Sequence, residues 1–283
     1  LVDLCGHEKY LKTTLYGLTG LFPDYGILIV SANRGILTMT KEHLGIYLYL
    51  KIPFIILVTR IDITPQNIYE STVSNINKIL KKHKRRAIIV ESLDKDKINK
   101  VTSELRVNPY LTPVISISNK TGHNIDTVKY FISKLESRDI WSNRLEKGSI
   151  FYIDSKFSPI GIGLVVSGLV RGDKIYSGLE MELGPFNSGE FKKVKVWSIH
   201  NNNKQSVPFI EDRNRGCLAI KILDKKDDFN PNLIRKGLVL ISDKIEPSVC
   251  YEFTADIEIL HHSSVISPQY SPVIHCGQVR QTA

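Results

Sequence analysis

An aspartate, a glycine and a histidine stand together near the start of this sequence, in Asp3-Leu4-Cys5-Gly6-His7, where residues 1–4 read as the tail of a strand entering a loop. That combination suits the phosphate end of a nucleotide-hydrolysing site. The Asp3 carboxylate can hold Mg2+ through water, and a glycine at position 6 lets a backbone N–H come close to a terminal phosphate. Alone, a D-x-x-G is an ordinary capped turn. Its meaning depends on the loops that accompany it.

Two such loops follow. Thr59-Arg60-Ile61-Asp62 comes after the apolar run 54–58, which puts Asp62 at the carboxyl end of a parallel strand, where open α/β sheets bind ligands. A carboxylate there can accept from the N1–H and the exocyclic NH2 of guanine together, whereas adenine presents an acceptor and no such amine. Asp62 therefore selects guanine. Ser118-Asn119-Lys120-Thr121-Gly122 ends a further apolar run, and its backbone N–H groups can donate to guanine O6. Lys120 or Arg60 can lie flat along the base.

These loops need a sheet to hold them. The runs 25–31, 52–59, 87–90 and 113–118 have the continuous apolar character of buried parallel strands. Helical stretches at 8–18, 41–50, 68–82 and 125–135 alternate with them, which gives an α/β domain with helices on both faces. After Arg144 the texture changes to short strands, near 149–154, 162–170, 192–198, 217–222 and 238–242, separated by turns such as Arg171-Gly172-Asp173. This is the pattern of a small β-barrel. Strand-like runs at 252–260 and 272–276 close the sequence. Gly161-Ile162-Gly163 lacks the third glycine of a dinucleotide site and reads as a bend in a barrel strand.

Composition narrows the class. The formal net charge is +9 over 283 residues, a sign that favours partners with phosphate backbones. No apolar stretch approaches the length of a membrane span, and no leader is recognisable, so a cytoplasmic protein is expected. The four cysteines form no C-x-x-C pair, and His200, His261 and His262 lack metal-ligand spacing. The basic run Lys81-Lys82-His83-Lys84-Arg85-Arg86 and the charged stretch 94–100 read as solvated surface.

The motifs in order resemble a known family. Asp3-Leu-Cys-Gly6-His7-Glu8-Lys9-Tyr10, then Met39-Thr-Lys-Glu-His43, then Thr59-Arg-Ile-Asp62, are similar to the translational GTPases related to elongation factor Tu and elongation factor 1-alpha, above all the GTP-binding protein one and two group. The likeness continues through Gly161-Ile-Gly163-Leu-Val-Val-Ser-Gly168 and His275-Cys-Gly-Gln-Val-Arg280. By that resemblance Asp3 is the magnesium-linked aspartate, Gly6 senses the γ-phosphate and His7 positions the attacking water. Thr59, Arg60 and Asp62 form the guanine-reading loop, with Ser118, Asn119 and Lys120 as its partner loop. Residues 8–18 become the second switch helix.

Four departures are visible. Thr59 stands where the family usually has a loop-tying asparagine, and Asn119 where many relatives have alanine. The stretch 93–112 looks like an inserted loop. No G-x-x-x-x-G-K-[ST] occurs in the sequence, and this is the loop that cradles the β- and γ-phosphates. The chain is accordingly expected to be a fragment that binds GTP poorly by itself.

The resemblance implies a P-loop-type GTPase domain, N-terminally incomplete, at 1–143, a β-barrel at 144–245 and the start of a second β-barrel at 246–283. It implies binding of GTP/GDP with Mg2+, GTP hydrolysis, and work with the ribosome and tRNA or another RNA. A nucleotide-exchange factor joins these partners; membrane and DNA do not. Two other readings are a non-hydrolysing adaptor in RNA surveillance or ribosome rescue, with a degenerate nucleotide site, and a GTPase regulating a metabolic partner.

Overall fold

The structure, a computed structural model, describes residues 1–138, 147–223, 230–257, 267–277 and 279–282. The chain divides into two compact units, Leu1–Leu15 with Phe22–Asp139 and Tyr16–Leu21 with Ile140–Ala283. The expected junction at 143–144 and the pair His261-His262 lie outside the described residues.

The first unit alternates helices and strands, and its first helix runs on past Leu15 into residues grouped with the second unit. Helix α1 (Leu11–Gly20) follows a 3-10 turn at Glu8–Tyr10; then come β1 (Gly26–Ser31), α2 (Thr38–Tyr49), β2 (Phe54–Thr59), α3 (Gln66–Lys82), β3 (Arg86–Ile89), α4 (Lys95–Val107), β4 (Leu111–Ser116) and α5 (Ile125–Ser133). The strands form a parallel sheet in the order β1-β2-β4-β3. Side chains alternate across it. Ile55, Leu57, Leu111 and Ile115 meet Ile98, Val101 and Leu105 of α4 and Phe131 of α5. On the opposite face Tyr47 of α2 stacks on Phe54, and Tyr69 of α3 is hydrogen-bonded to Ser116.

Three local expectations are corrected. Residues 1–4 are not in a strand, since a strand exists only with a ladder partner and the segment has none among the described residues. The two central strands are buried over their first five residues, but β1 and β3 are the sheet's edges, and Ile29 and Ile89 are 64% and 38% exposed. The stretch 93–112 is not a loop. Asp94 caps α4, its carboxylate accepting from Lys97 N at 3.0 Å, and Ile98, Val101, Thr102 and Leu105 bury one helical face. Leu105→Ala is therefore expected to cost about 2–5 kcal/mol, as for a packed core leucine. Urea denaturation would read it, and a loss below about 1 kcal/mol would mean that α4 is not part of the core.

The second unit carries a closed antiparallel barrel. Its strands are β5 (Ser149–Phe157), β6 (Val165–Gly172), β7 (Ile175–Tyr176), β8 (Glu180–Gly184), β9 (Lys192–Asn201), β10 (Ser206–Val207), β11 (Phe209–Ile210), β12 (Arg215–Ile222) and β13 (Val239–Ser242). The main sheet runs β10-β9-β12-β6-β5-β13-β8, and pairing of β8 with β9 closes it around Phe151, Val166, Leu183, Val196, Leu218 and Leu240. Gly161 and Gly163 do not bend a strand. With φ of 81° and 91° they form the turn between β5 and β6, a left-handed path that favours glycine.

Beyond the barrel, β14 (Val273–Cys276) and β15 (Val279–Thr282) form a hairpin. The expected strand at 252–260 is absent over 252–257, where Phe253 and Ile257 are exposed and no strand pairs with the segment among the described residues, and 258–260 lie outside the described residues.

Candidate functional site

The ends of β2 and β4 bring together the two loops that the sequence nominates for guanine. Arg60 takes a left-handed conformation (φ 62°), which turns the chain out of β2 into the 3-10 turn Ile61–Ile63, where Asp62 sits with an exposed carboxylate. For a side chain with a Cβ this backbone costs on the order of 1 kcal/mol, a strain found where a site must be shaped. The Thr64 hydroxyl holds the turn by donating to Arg60 O at 2.7 Å.

From β4, Ser118 arrives fully buried, and its hydroxyl donates to Asp62 Oδ1 at 2.7 Å. The same Ser118 Oγ accepts from Thr121 N at 3.2 Å, and Ser118 O accepts from Gly122 N at 3.0 Å. The loop is thus closed on itself while Asn119 and Lys120 remain exposed. One Asp62 oxygen is fixed from below, and the outer face of the carboxylate is left for a ligand.

A further residue of this site was not foreseen. Asn124, left-handed at φ 57°, donates from Nδ2 to Glu91 O at 2.9 Å and to Ser116 O at 3.0 Å. It ties the loop after β4 to the end of β3. The cross-loop ties observed come from Ser118 and Asn124, while Thr59 contributes its carbonyl, which accepts from Ala32 N at 2.9 Å. A cleft of about 790 Å3 opens beside these loops, lined by Thr64, Tyr69, Glu91, Ser116 and Asn124 among others, but not by Asp62. The carboxylate chemistry, not this cleft, marks the site.

The residues that the sequence nominates for phosphate are arranged locally. His7 is the cap of the Glu8–Tyr10 turn, its Nδ1 accepting from Lys9 N at 3.1 Å, and its ring meets Tyr10 edge-on at 6.2 Å. A ring nitrogen that accepts carries no proton, so the hydrogen of this imidazole is on Nε2. Buried Thr14 anchors the preceding segment to α1, its hydroxyl donating to Cys5 O at 2.5 Å. Asp3 and Gly6 are exposed, and Asp3 has no hydrogen bond or ion pair among the described residues. Among the described contacts nothing joins Asp3, Gly6 or His7 to the Asp62–Ser118 pair.

Residues 1–138 match the family described as elongation factor Tu GTP binding domain. The whole chain is 39% identical to GTP-binding protein 1 of Xenopus laevis and 31% identical to GTP-binding protein 2 of Homo sapiens, covering 42% and 46% of those proteins. It spans about half the length, or less, of these curated relatives. Among solved structures, the elongation factor SelB of Methanococcus maripaludis, in complex with the GTP analogue GppNHp, superposes with a TM-score of 0.65 at 23% identity, over 87% of this chain and 46% of that one. This likeness shows a common fold. Taken with the motif order and the two loops at the ends of β2 and β4, these matches place the chain in the translational GTPase family of the elongation factor Tu and elongation factor 1-alpha type.

Proposed function

We propose that this protein binds GTP, hydrolyses it to GDP and phosphate, and uses that reaction to control its association with the ribosome and with tRNA or another RNA in the cytoplasm, with a nucleotide-exchange factor resetting it. The observation that carries the reading is the Asp62 carboxylate, held by the Ser118 hydroxyl at 2.7 Å at the carboxyl end of a parallel sheet. Guanine supplies the two donors that this carboxylate accepts. Asn119 and Lys120 border the base, and Arg60 lies on the other loop. The net charge of +9 agrees with RNA partners.

At the phosphate end, Asp3 would hold Mg2+ through water. Its exposed carboxylate, without a partner among the described residues, suits a hydrated ion. When bound, the ion neutralises charge between the phosphates. Gly6 offers its N–H to the terminal phosphate. His7, with Nδ1 engaged by Lys9 N, presents Nε2–H, so it orients a water by donating to it and does not deprotonate it.

Two readouts test this. GTP, and not ATP, should displace a fluorescent guanine nucleotide, and a non-hydrolysable GTP analogue should raise co-sedimentation with ribosomes above the level seen with GDP. Equal displacement by ATP would sink the guanine reading; sedimentation that ignores the nucleotide would sink the ribosomal one.

A further inference from the structure

The end of α3 and the turn into β3 carry a charge density that guanine recognition does not use. Between Ser71 and Val90 there is no acidic residue, while Lys78, Lys81, Lys82, Lys84, Arg85 and Arg86 supply six cations. Two of these are occupied within the fold. Arg85 is buried, its guanidinium 4.3 Å from the Phe54 ring centre, with Nε donating to Thr112 Oγ1 at 2.8 Å and Nη2 to Leu111 O at 3.0 Å. Arg86 pairs with Glu104. The other four, Lys78, Lys81, Lys82 and Lys84, are exposed and have no ion pair among the described residues.

Their placement gives them a common target. Lys78, Lys81 and Lys82 recur at i, i+3 and i+4 on α3, hence on one side of it. Left-handed Lys84 (φ 55°) then folds the chain back into β3. The result is a hollow of about 450 Å3 walled by Asn77, Lys81, Lys84, Arg85, Arg86 and Ala87. No aromatic or large apolar side chain lines it. A protein partner would ask for an apolar or aromatic anchor at the centre of its interface. A hollow of lysine, arginine and asparagine instead suits phosphates, whose contacts position a nucleic acid without reading its bases.

We propose that this end of the sheet binds the phosphate backbone of an RNA irrespective of its sequence, the choice of RNA over other polyphosphates resting on the function proposed above. The site is at the amino end of β3, opposite the guanine loops, which for strands of six residues means about 20 Å away.

The test titrates a labelled RNA duplex of arbitrary sequence with the 283-residue chain, without nucleotide, from about 50 to 200 mM salt. Changing Lys78, Lys81, Lys82 and Lys84 together to Gln should weaken binding on the order of tenfold or more and make the log-affinity against log-salt slope shallower by about three. The matching variant with Lys95, Lys97, Lys100 and Lys134 changed to Gln should keep its slope within about one of the parent's. Unfolding midpoints verify that both variants are folded. An unchanged slope in the first variant, or equal losses in both, overturns the site. Displacement of the RNA by polyglutamate as readily as by unlabelled RNA overturns its assignment to phosphate. Because no nucleotide is present, failure of the guanine reading would leave this titration unaltered.

Discussion

Asp62→Asn is expected to lower GTP affinity by roughly 10²- to 10⁴-fold and to raise XTP affinity toward the level the parent shows for GTP. The magnitude comes from two hydrogen bonds to a charged acceptor, each worth about 1.5–3 kcal/mol, with about 1.4 kcal/mol per factor of ten. The direction comes from Ser118. Its Oγ accepts from Thr121 N, so its proton is given to Asp62 Oδ1. With an amide at position 62, that donation holds the carbonyl oxygen toward Ser118, where it can still accept from the N1–H of the base. The amide NH2 then takes the place of the second oxygen. It meets an amine in guanine, donor against donor, and a carbonyl in xanthine, donor against acceptor. Ser118→Ala in the same background should erode the XTP preference, since nothing then fixes the amide. Competition binding with GTP, XTP and ATP reads all three. Undiminished GTP preference in Asp62→Asn would remove this loop from base recognition.

The meeting of Asp62 with the Ser118 loop was legible in the sequence because both follow apolar runs that pair as parallel strands. The elements missed were those whose signal is geometric. Helix α4 was concealed by its outward face: Lys95, Asp96, Lys97 and Lys100 made the stretch look solvated, although Asp94 as cap and Ile98, Val101 and Leu105 at helical spacing were present. The edge positions of β1 and β3 could not be read from apolar runs, because strand order is a property of the assembled sheet. Strand β8 was passed over because Glu180 and Glu182 alternate with Met181 and Leu183. In the barrel those glutamates stand opposite Lys195 and Lys193 of β9, a pairing visible only once the register is known. Asn124 had no sequence signature at all. Its work depends on a left-handed backbone that turns the side chain back onto Glu91 and Ser116.

His7→Ala is expected to leave GTP affinity within about twofold and to slow ribosome-stimulated hydrolysis by on the order of 10²- to 10³-fold, the range for loss of one donor aimed at the reacting atoms. Affinity should survive because His7 is exposed and the one hydrogen bond that its ring makes among the described residues, from Lys9 N, caps a three-residue turn. The segment before it is retained by a separate anchor, the Thr14 hydroxyl on Cys5 O. Two substitutions separate capping from water positioning. In His7→Asn the side-chain oxygen can still accept from Lys9 N, as asparagine does at a helix cap, but the ring nitrogen that reaches the water is gone. That variant should be as slow as His7→Ala. Thr14→Val should slow turnover more mildly by loosening the segment while the imidazole persists. Single-turnover hydrolysis with and without ribosomes distinguishes these cases. If His7→Asn retained the parent's stimulated rate, the imidazole would be serving only as the cap of the turn, and water positioning would have to be sought elsewhere in the protein.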